Sequence, residues 1–130
     1  MPSFRIICFI IGLSQIALGI LFLSSPVFMY QTMGITVPSA GYDYVSAMLA
    51  ARFLVYGVAL FLASRQPREF RLWLDGMLVI QAIDLAGGLF YSAAGAVPWS
   101  ASAFPMVNAA LFIVALLWKR PLWAERAIHA

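Results

Sequence analysis

The chain has 130 residues, of which 64% are hydrophobic and 10% are charged, and its formal net charge is +3. This balance excludes an ordinary soluble domain and predicts a single membrane domain over residues 1–130. One cysteine, Cys8, excludes an internal disulfide, a CxxC redox pair and a cysteine metal cluster. The basic residues flank apolar runs and are not interleaved with stacking aromatics, so no nucleic-acid partner is expected.

The first apolar run, residues 4–24, carries Arg5 at its start and no later charge. At about 1.5 Å per helical residue, a run of this length crosses the ~30 Å hydrocarbon core of a bilayer. Bulky residues follow Ser24, where a secretory signal would have small residues and a cleavage site. The run therefore predicts a retained first membrane helix.

The connection that follows, residues 25–42, has no lysine or arginine and is interrupted repeatedly by glycine and proline. It is too broken to span a bilayer. Within it, Ser25 is an expected N-cap, Pro26 suits the first helical position and Gly34 is an expected stop. These residues predict a short interfacial helix in the first outer loop.

Two further spans are predicted over residues 43–64 and 72–93. Asp43 is the expected N-cap of the first of them, and a short basic loop with the helix-terminating Pro67 separates the two. Asp75 lies one turn after Arg71 near the basic boundary, so a local charge pair between them is expected.

A fourth span is predicted over residues 103–119. Ser102 is its expected cap, and Pro105 would lie in the first turn, where amides have no intrahelical partner. The tail, residues 120–130, is short and basic and contains Trp123. It predicts a brief amphipathic helix at the headgroup level.

The cations of this four-span arrangement are strongly asymmetric, because neither connection on the opposite side contains any. Positive charge favours the cytoplasmic side, so both termini are predicted to be cytoplasmic. Tryptophan and tyrosine lie near both predicted boundaries, as expected of aromatic belts. The cations that fall on one side are Arg5, Arg65, Arg68, Arg71, Lys119, Arg120 and Arg126.

A polar layer is predicted inside the bundle. Gln15, Arg52 and Asp84 come from three different spans, and each lies roughly 13 Å below the outer boundary at 1.5 Å per residue. An unpaired charge at that depth costs a few kcal/mol or more, so both charged side chains should face inward and meet. The sequence therefore predicts an interhelical ion pair between Arg52 and Asp84.

Three other polar residues accompany this pair. Gln81 and Tyr56 are expected to form hydrogen bonds around it, together with Gln15, and Asn108 on the fourth span would extend the network outward. Two interpretations remain open at this stage. The pair either fixes helix register alone, or it lines a pocket for a polar head or a proton.

Several chemistries are disfavoured by the residue types. Haem, zinc and iron sites need ligands within the helices, but the only histidine, His129, is in the tail. Nucleophilic catalysis lacks an intramembrane histidine base, and Cys8 has no partner in sequence reach. We therefore expect no metal, no resident cofactor and no catalytic activity of the chain's own.

The order LFLxxP at the end of the first span, a broken loop, ARxxxYGxxLFLxxR in the second span and a polar third span resembles the small DoxX-like four-span membrane proteins of bacteria. The resemblance covers the first three spans. It implies the bacterial inner membrane and an association with oxidoreductase assemblies or quinones. It would make Arg52 and Tyr56 candidates for contacting a partner protein or a quinone head.

Three hypotheses follow. The leading one is an accessory subunit that binds a small lipophile, either lipid or quinone, at the Arg52 and Asp84 centre. The second is a proton-linked transporter or channel in which Asp84 titrates, acting as a homo-oligomer. The third is a membrane subunit of a redox enzyme complex, with a membrane or cytoplasmic enzyme as its partner.

Overall fold

The computed structural model describes residues 2–36 and 41–124, and no strand occurs within them. Four helices are long and apolar enough to cross a membrane. The predicted all-α architecture is therefore confirmed, with four helices able to span a membrane and a short helix in the connection after the first. The helices are α1 (Pro2–Ser24), α2 (Pro26–Thr32), α3 (Tyr42–Ala63), α4 (Arg71–Ala93), α5 (Trp99–Lys119) and α6 (Pro121–Ala124). Predictions that concern Arg126 and His129 lie outside the described residues.

Two predicted helix starts are wrong in detail. Gly41, with φ 99°, occupies the N-cap position of α3, so Asp43 falls inside the first turn, where its charge favours the helix dipole. The fourth span begins at Trp99 because the extended Pro98 precedes it, which places Ser102 within the helix and not at its cap. Pro105 consequently lies inside α5, beyond the turn whose amides are free.

The first three helices form one hairpin, in which α1 and α3 make the most extensive contact of the molecule. A Cβ at Gly12 would lie 3.0 Å from the carbonyl oxygen of Gly57, so the two backbones touch there. Gly19 lies against Ala50 and Leu54 farther along the pair. The residue numbers run in opposite directions, so the helices are antiparallel, and small residues permit their close approach.

The last two long helices, α4 and α5, form a second antiparallel hairpin. The hydroxyls of Ser92 and Ser102 lie 2.6 Å apart and join the end of α4 to the start of α5. One turn earlier, Gly88 faces the side chain of Met106 at a distance that leaves no room for a Cβ. Both contacts lie far from the basic loop.

The two hairpins share a core at one end of the bundle. We call this the basic end, because Arg5, the loop between α3 and α4, and Lys119 lie there. The opposite end of the bundle is called the neutral end. The rings of Phe4 and Trp123 are 5.7 Å apart, so both described chain ends are at the basic end. The buried residues of this shared core are Phe4, Cys8, Ile11, Leu60, Ala63, Leu74, Met77, Phe112, Leu116 and Trp123.

Toward the neutral end the hairpins no longer share a core. The second buried cluster, Phe22, Ala50 and Phe53 with its half-buried neighbours, consists of residues from the first hairpin. Between residues 82 and 108, burial is restricted to Ser92, Ala101 and Ser102, where α4 and α5 meet each other. The hairpins are thus joined firmly at the basic end and more loosely beyond it.

The tail pattern predicted that Trp123 lies at the headgroup level, but the structure encloses its side chain in protein. It is 2% exposed, and it packs on Phe4 within the shared core. Its indole N–H donates to Oδ1 of Asp75 at 3.1 Å, which satisfies its polar atom inside the protein. The helix that carries it, α6, has four described residues.

Candidate binding site at the junction of the hairpins

The predicted ion pair between Arg52 and Asp84 is present and connects the two hairpins. Nη1 of Arg52 donates to Oδ1 of Asp84 at 3.3 Å, and Nη2 donates to Oδ2 at 3.2 Å. This two-pronged arrangement matches the planar guanidinium to the planar carboxylate and fixes their relative orientation. It lies between α3 and α4, farther from the basic end than the shared core.

The pair is not enclosed. The side chains of Arg52 and Asp84 are 32% and 37% exposed. Asp84 continues the three-to-four residue spacing of Leu74, Met77 and Gln81, all of which are buried. The same face of α4 therefore passes from buried to accessible at Asp84, because the shared core ends at this level.

Arg52 keeps hydrogen-bond donors beyond those that Asp84 occupies. A guanidinium has five N–H groups, and the ion pair uses two of them. Nε of Arg52 is buried and has no hydrogen-bond partner among residues 2–36 and 41–124. The guanidinium carbon stands 4.9 Å from the ring centroid of Phe53, a cation–π distance that supports the charge on one side. Because protein encloses Nε, an acceptor oxygen from outside would bind the remaining N–H groups of Nη1 and Nη2.

Two glutamines lie where the shared core ends. Gln15 and Gln81 are each 4% exposed, and they follow the core residues Ile11 and Met77 by one helical turn on the same faces. Nε2 of Gln81 donates to Sδ of Met77 at 3.3 Å, a weak acceptor. Within the described part of the chain, the Gln15 amide has no side-chain hydrogen bond. Both amides retain capacity for another polar group.

Tyr56 is not brought to the ion pair. Its hydroxyl oxygen lies 2.8 Å from the position that a Cβ on Gly76 would occupy, and its ring meets Trp73 edge-on at 5.2 Å. Gly76 precedes Asp84 by about 12 Å along α4, at 1.5 Å per residue. The predicted role of Tyr56 beside the pair is therefore corrected: it packs α3 against α4 nearer the basic end.

Asn108 is half-buried on α5. No side-chain hydrogen bond joins it to the ion pair in the segments that the structure describes. Its place in the polar network consequently stays a prediction. Across the same segments, no group of three or more His, Cys, Asp or Glu residues is placed to hold a metal ion.

Asp75 has a larger role than its sequence position indicated. The expected local pair with Arg71 is present at 3.7 Å. Arg120 also approaches the carboxylate, with Nε 3.3 Å from Oδ1, and Trp123 donates to the same oxygen. Asp75 thus fastens α6 and the end of α5 onto α4. Sequence reasoning missed the contacts of Arg120 and Trp123 with Asp75, because residues far apart in the chain share no helical spacing that would indicate a contact.

The chain matches no protein-family model, no curated protein and no solved structure. The DoxX-like resemblance therefore remains a prediction from the sequence motifs.

Proposed function

We propose that the protein is a membrane accessory subunit that binds the polar head of a small lipophile, a lipid or a quinone, at the Arg52–Asp84 pair. One observation carries the proposal: a charged pair that is about one-third exposed stands where the two hairpins cease to share a core. The proposed head occupies this junction, and the apolar tail extends toward the neutral end.

The exposure of the pair favours a ligand over a purely structural role. Charged groups at membrane depth normally face the bundle interior or a water-filled cavity, because hydrocarbon cannot solvate them. A pair that served only to fix helix register would be expected to be shielded by protein from the acyl chains. An exposed pair needs water or a polar ligand group beside it.

The donors left on Arg52 indicate the chemistry of the head. They are N–H groups, so the ligand must supply acceptor oxygens, as a quinone carbonyl or a lipid ester or phosphate does. The amides of Gln15 and Gln81, at the end of the shared core, would add one acceptor each, with two donors from Gln15 and one from Gln81, whose other N–H donates to Met77. Because the ion pair is neutral overall, a neutral head is accommodated without an uncompensated charge.

A second function is favoured by the accessibility of Asp84. Its side chain is slightly more exposed than that of Arg52, and neutralisation of its carboxylate would break the ion pair. A proton-linked transporter or channel, assembled as a homo-oligomer, would use this step. Membership of the DoxX-like group, a place in a redox enzyme complex and the bacterial inner membrane with cytoplasmic termini are further proposals, which the sequence motifs and the cation asymmetry support.

The experiment that tests the binding proposal is identification of copurified lipophiles by mass spectrometry. We expect the unmodified protein to retain one lipid or quinone class, and the Arg52→Gln and Asp84→Asn variants to lose it while remaining folded. Arg68→Gln is the matched control, because Arg68 is an exposed cation in the loop between α3 and α4. A lipophile retained equally by all four proteins would refute the proposal.

Transport is separated from binding by a flux assay in liposomes. If Asp84→Asn keeps the lipophile but abolishes proton-coupled flux, the transporter hypothesis replaces the accessory one. Absence of flux in the unmodified protein, combined with retained lipophile, supports the binding role.

A further inference from the structure

We propose a second, separate site: a groove on the lipid-facing side of the α1–α3 pair that binds an anionic phospholipid from the leaflet at the basic end. The groove has a volume of about 340 Å³ and is lined by Phe9, Phe61, Leu62, Ser64 and Arg65. It lies at the opposite end of α3 from Asp43 and shares no residue with the Arg52–Asp84 junction.

The walls of the groove are suited to an acyl chain. The rings of Phe9 and Phe61 are 5.4 Å apart and tilted by 44°, and Phe9 and Leu62 are about half exposed on the outer surface of the bundle. The ring of Phe61 lies across Gly12, where a Cβ would come within 3.2 Å of it. Because Gly12 has no side chain, the Phe61 ring can pack close to the backbone of α1.

The mouth of the groove is cationic. Arg65 follows the last turn of α3 and is exposed. Arg5 precedes Phe9 by one helical turn on the same face of α1 and is also exposed. Neither arginine forms an ion pair with any residue in the described ranges 2–36 and 41–124. Two cations at the end of an apolar groove match a phosphate above an acyl chain.

Within residues 2–36 and 41–124, no acidic side chain at this end pairs with Arg5 or Arg65. Asp75 is already shared by Arg71 and Arg120. Glu69 is exposed in the loop between α3 and α4, and no described cation lies within ion-pair distance of it. The hydroxyl of Ser64 donates to the carbonyl of Phe61 at 2.6 Å, so its proton is committed. Recognition of the headgroup therefore depends on the arginines.

The apolar walls and the two cations together favour a lipid over a soluble anion. A free phosphate would gain nothing from the phenylalanine walls, whereas a zwitterionic lipid would gain nothing net from the two positive charges. Cations next to a membrane span attract anionic headgroups with a strength equivalent to about fivefold in affinity for each arginine near the surface. The volume, at the lower end of the ~300–1,000 Å³ range of ligand sites, suits part of one acyl chain.

Native mass spectrometry of the detergent-solubilised protein tests the site. The probes are phosphatidylglycerol and phosphatidylcholine with identical acyl chains. We expect preferential retention of phosphatidylglycerol, and a loss of about fivefold in Arg65→Gln. The control Arg68→Gln removes a cation from the same loop that does not line the groove, and should lower retention less than Arg65→Gln does. Phe9→Ala should lower the retention of both lipids.

Three results would overturn the site. These are equal retention of the two lipids by the unmodified protein, equal losses in Arg65→Gln and Arg68→Gln, and displacement of the lipid by an equal concentration of glycerol phosphate. If Arg65→Gln does not fold, a phosphatidylglycerol with a photoactivatable acyl chain is applied to the unmodified protein. Crosslinks confined to peptides with Phe9 and Phe61 support the site, and crosslinks spread over α4 and α5 refute it.

Discussion

The indole N–H of Trp123 donates to Oδ1 of Asp75 at 3.1 Å, while the Trp123 ring packs 5.7 Å from that of Phe4. These two contacts connect α6 to both hairpins, since Phe4 belongs to α1 and Asp75 to α4. The bundle is therefore closed at the basic end by a residue from outside the four spans. The neutral end, where the hairpins share no core, has no comparable connection among the described residues.

Replacing Trp123 by phenylalanine should destabilise the protein by about 1–3 kcal/mol, because it removes a hydrogen bond to a carboxylate while keeping an aromatic ring against Phe4. The measurement is unfolding in mixed detergent, followed by circular dichroism. Trp118→Phe is the matched control, because Trp118 is 67% exposed. It should change the free energy of unfolding by less than about 0.5 kcal/mol. Equal effects of the two substitutions would contradict the role assigned to Trp123.

Gly57→Ala should destabilise the protein by about 1–3 kcal/mol through overpacking. The added Cβ would lie 2.5 Å from Cγ1 of Ile16 and 2.9 Å from the backbone oxygen of Gly12, so α1 and α3 would have to separate. Gly87→Ala provides the control, because nothing lies within 4 Å of its Cβ position. That substitution should be neutral or stabilising by up to about 1 kcal/mol, since alanine favours the helix. A neutral Gly57→Ala would show that the helix pair tolerates a wider spacing.

A double-mutant cycle measures how much the Arg52–Asp84 ion pair contributes to stability, apart from any role in binding. Arg52→Ala and Asp84→Ala should each destabilise the protein, and the double variant should recover part of the loss, with a coupling energy of about 1–3 kcal/mol. Thermal unfolding of the four proteins measures this coupling. Additive losses would mean that the two charges do not interact in the membrane.

Retention of the lipophile by the same four proteins measures the role of the pair in binding. The double variant should still lack the lipophile, because removal of the guanidinium removes its donors. Recovery of stability together with recovery of ligand would assign the pair to structure and move the binding site elsewhere.

The ion pair was predictable from sequence because two physical constraints act together. Successive membrane spans are antiparallel, so residue counts from the boundaries give depth, and hydrocarbon forces opposite charges at one depth to pair. Arg52 and Asp84 satisfy both constraints. The pair of Arg71 and Asp75 was predictable for a different reason, because residues four apart on a helix are neighbours.

The remaining details depended on information that spacing does not contain. Spacing assigns Tyr56 to the face of α3 toward α4, but it does not determine which way a long side chain points along that face, and the hydroxyl reaches Gly76 instead of Asp84. The amphipathic tail pattern is equally compatible with Trp123 in the headgroups or in the core. At the start of α5, the fixed backbone of Pro98 prevailed over the capping preference of Ser102.

Gln81→Leu distinguishes a packing role of the glutamines from a binding role. Gln81 is 4% exposed, and its one side-chain hydrogen bond within residues 2–36 and 41–124 is to the weak acceptor Sδ of Met77. Leucine has a similar length, so it should change the free energy of unfolding by less than about 1 kcal/mol. If Gln81 contacts the polar head, the same substitution should lower lipophile retention several-fold. Gln66→Leu, at an exposed position in the loop between α3 and α4, controls for the loss of an amide. Unchanged retention in a folded Gln81→Leu protein would remove Gln81 from the site, because its amide would then contribute nothing to binding of the head.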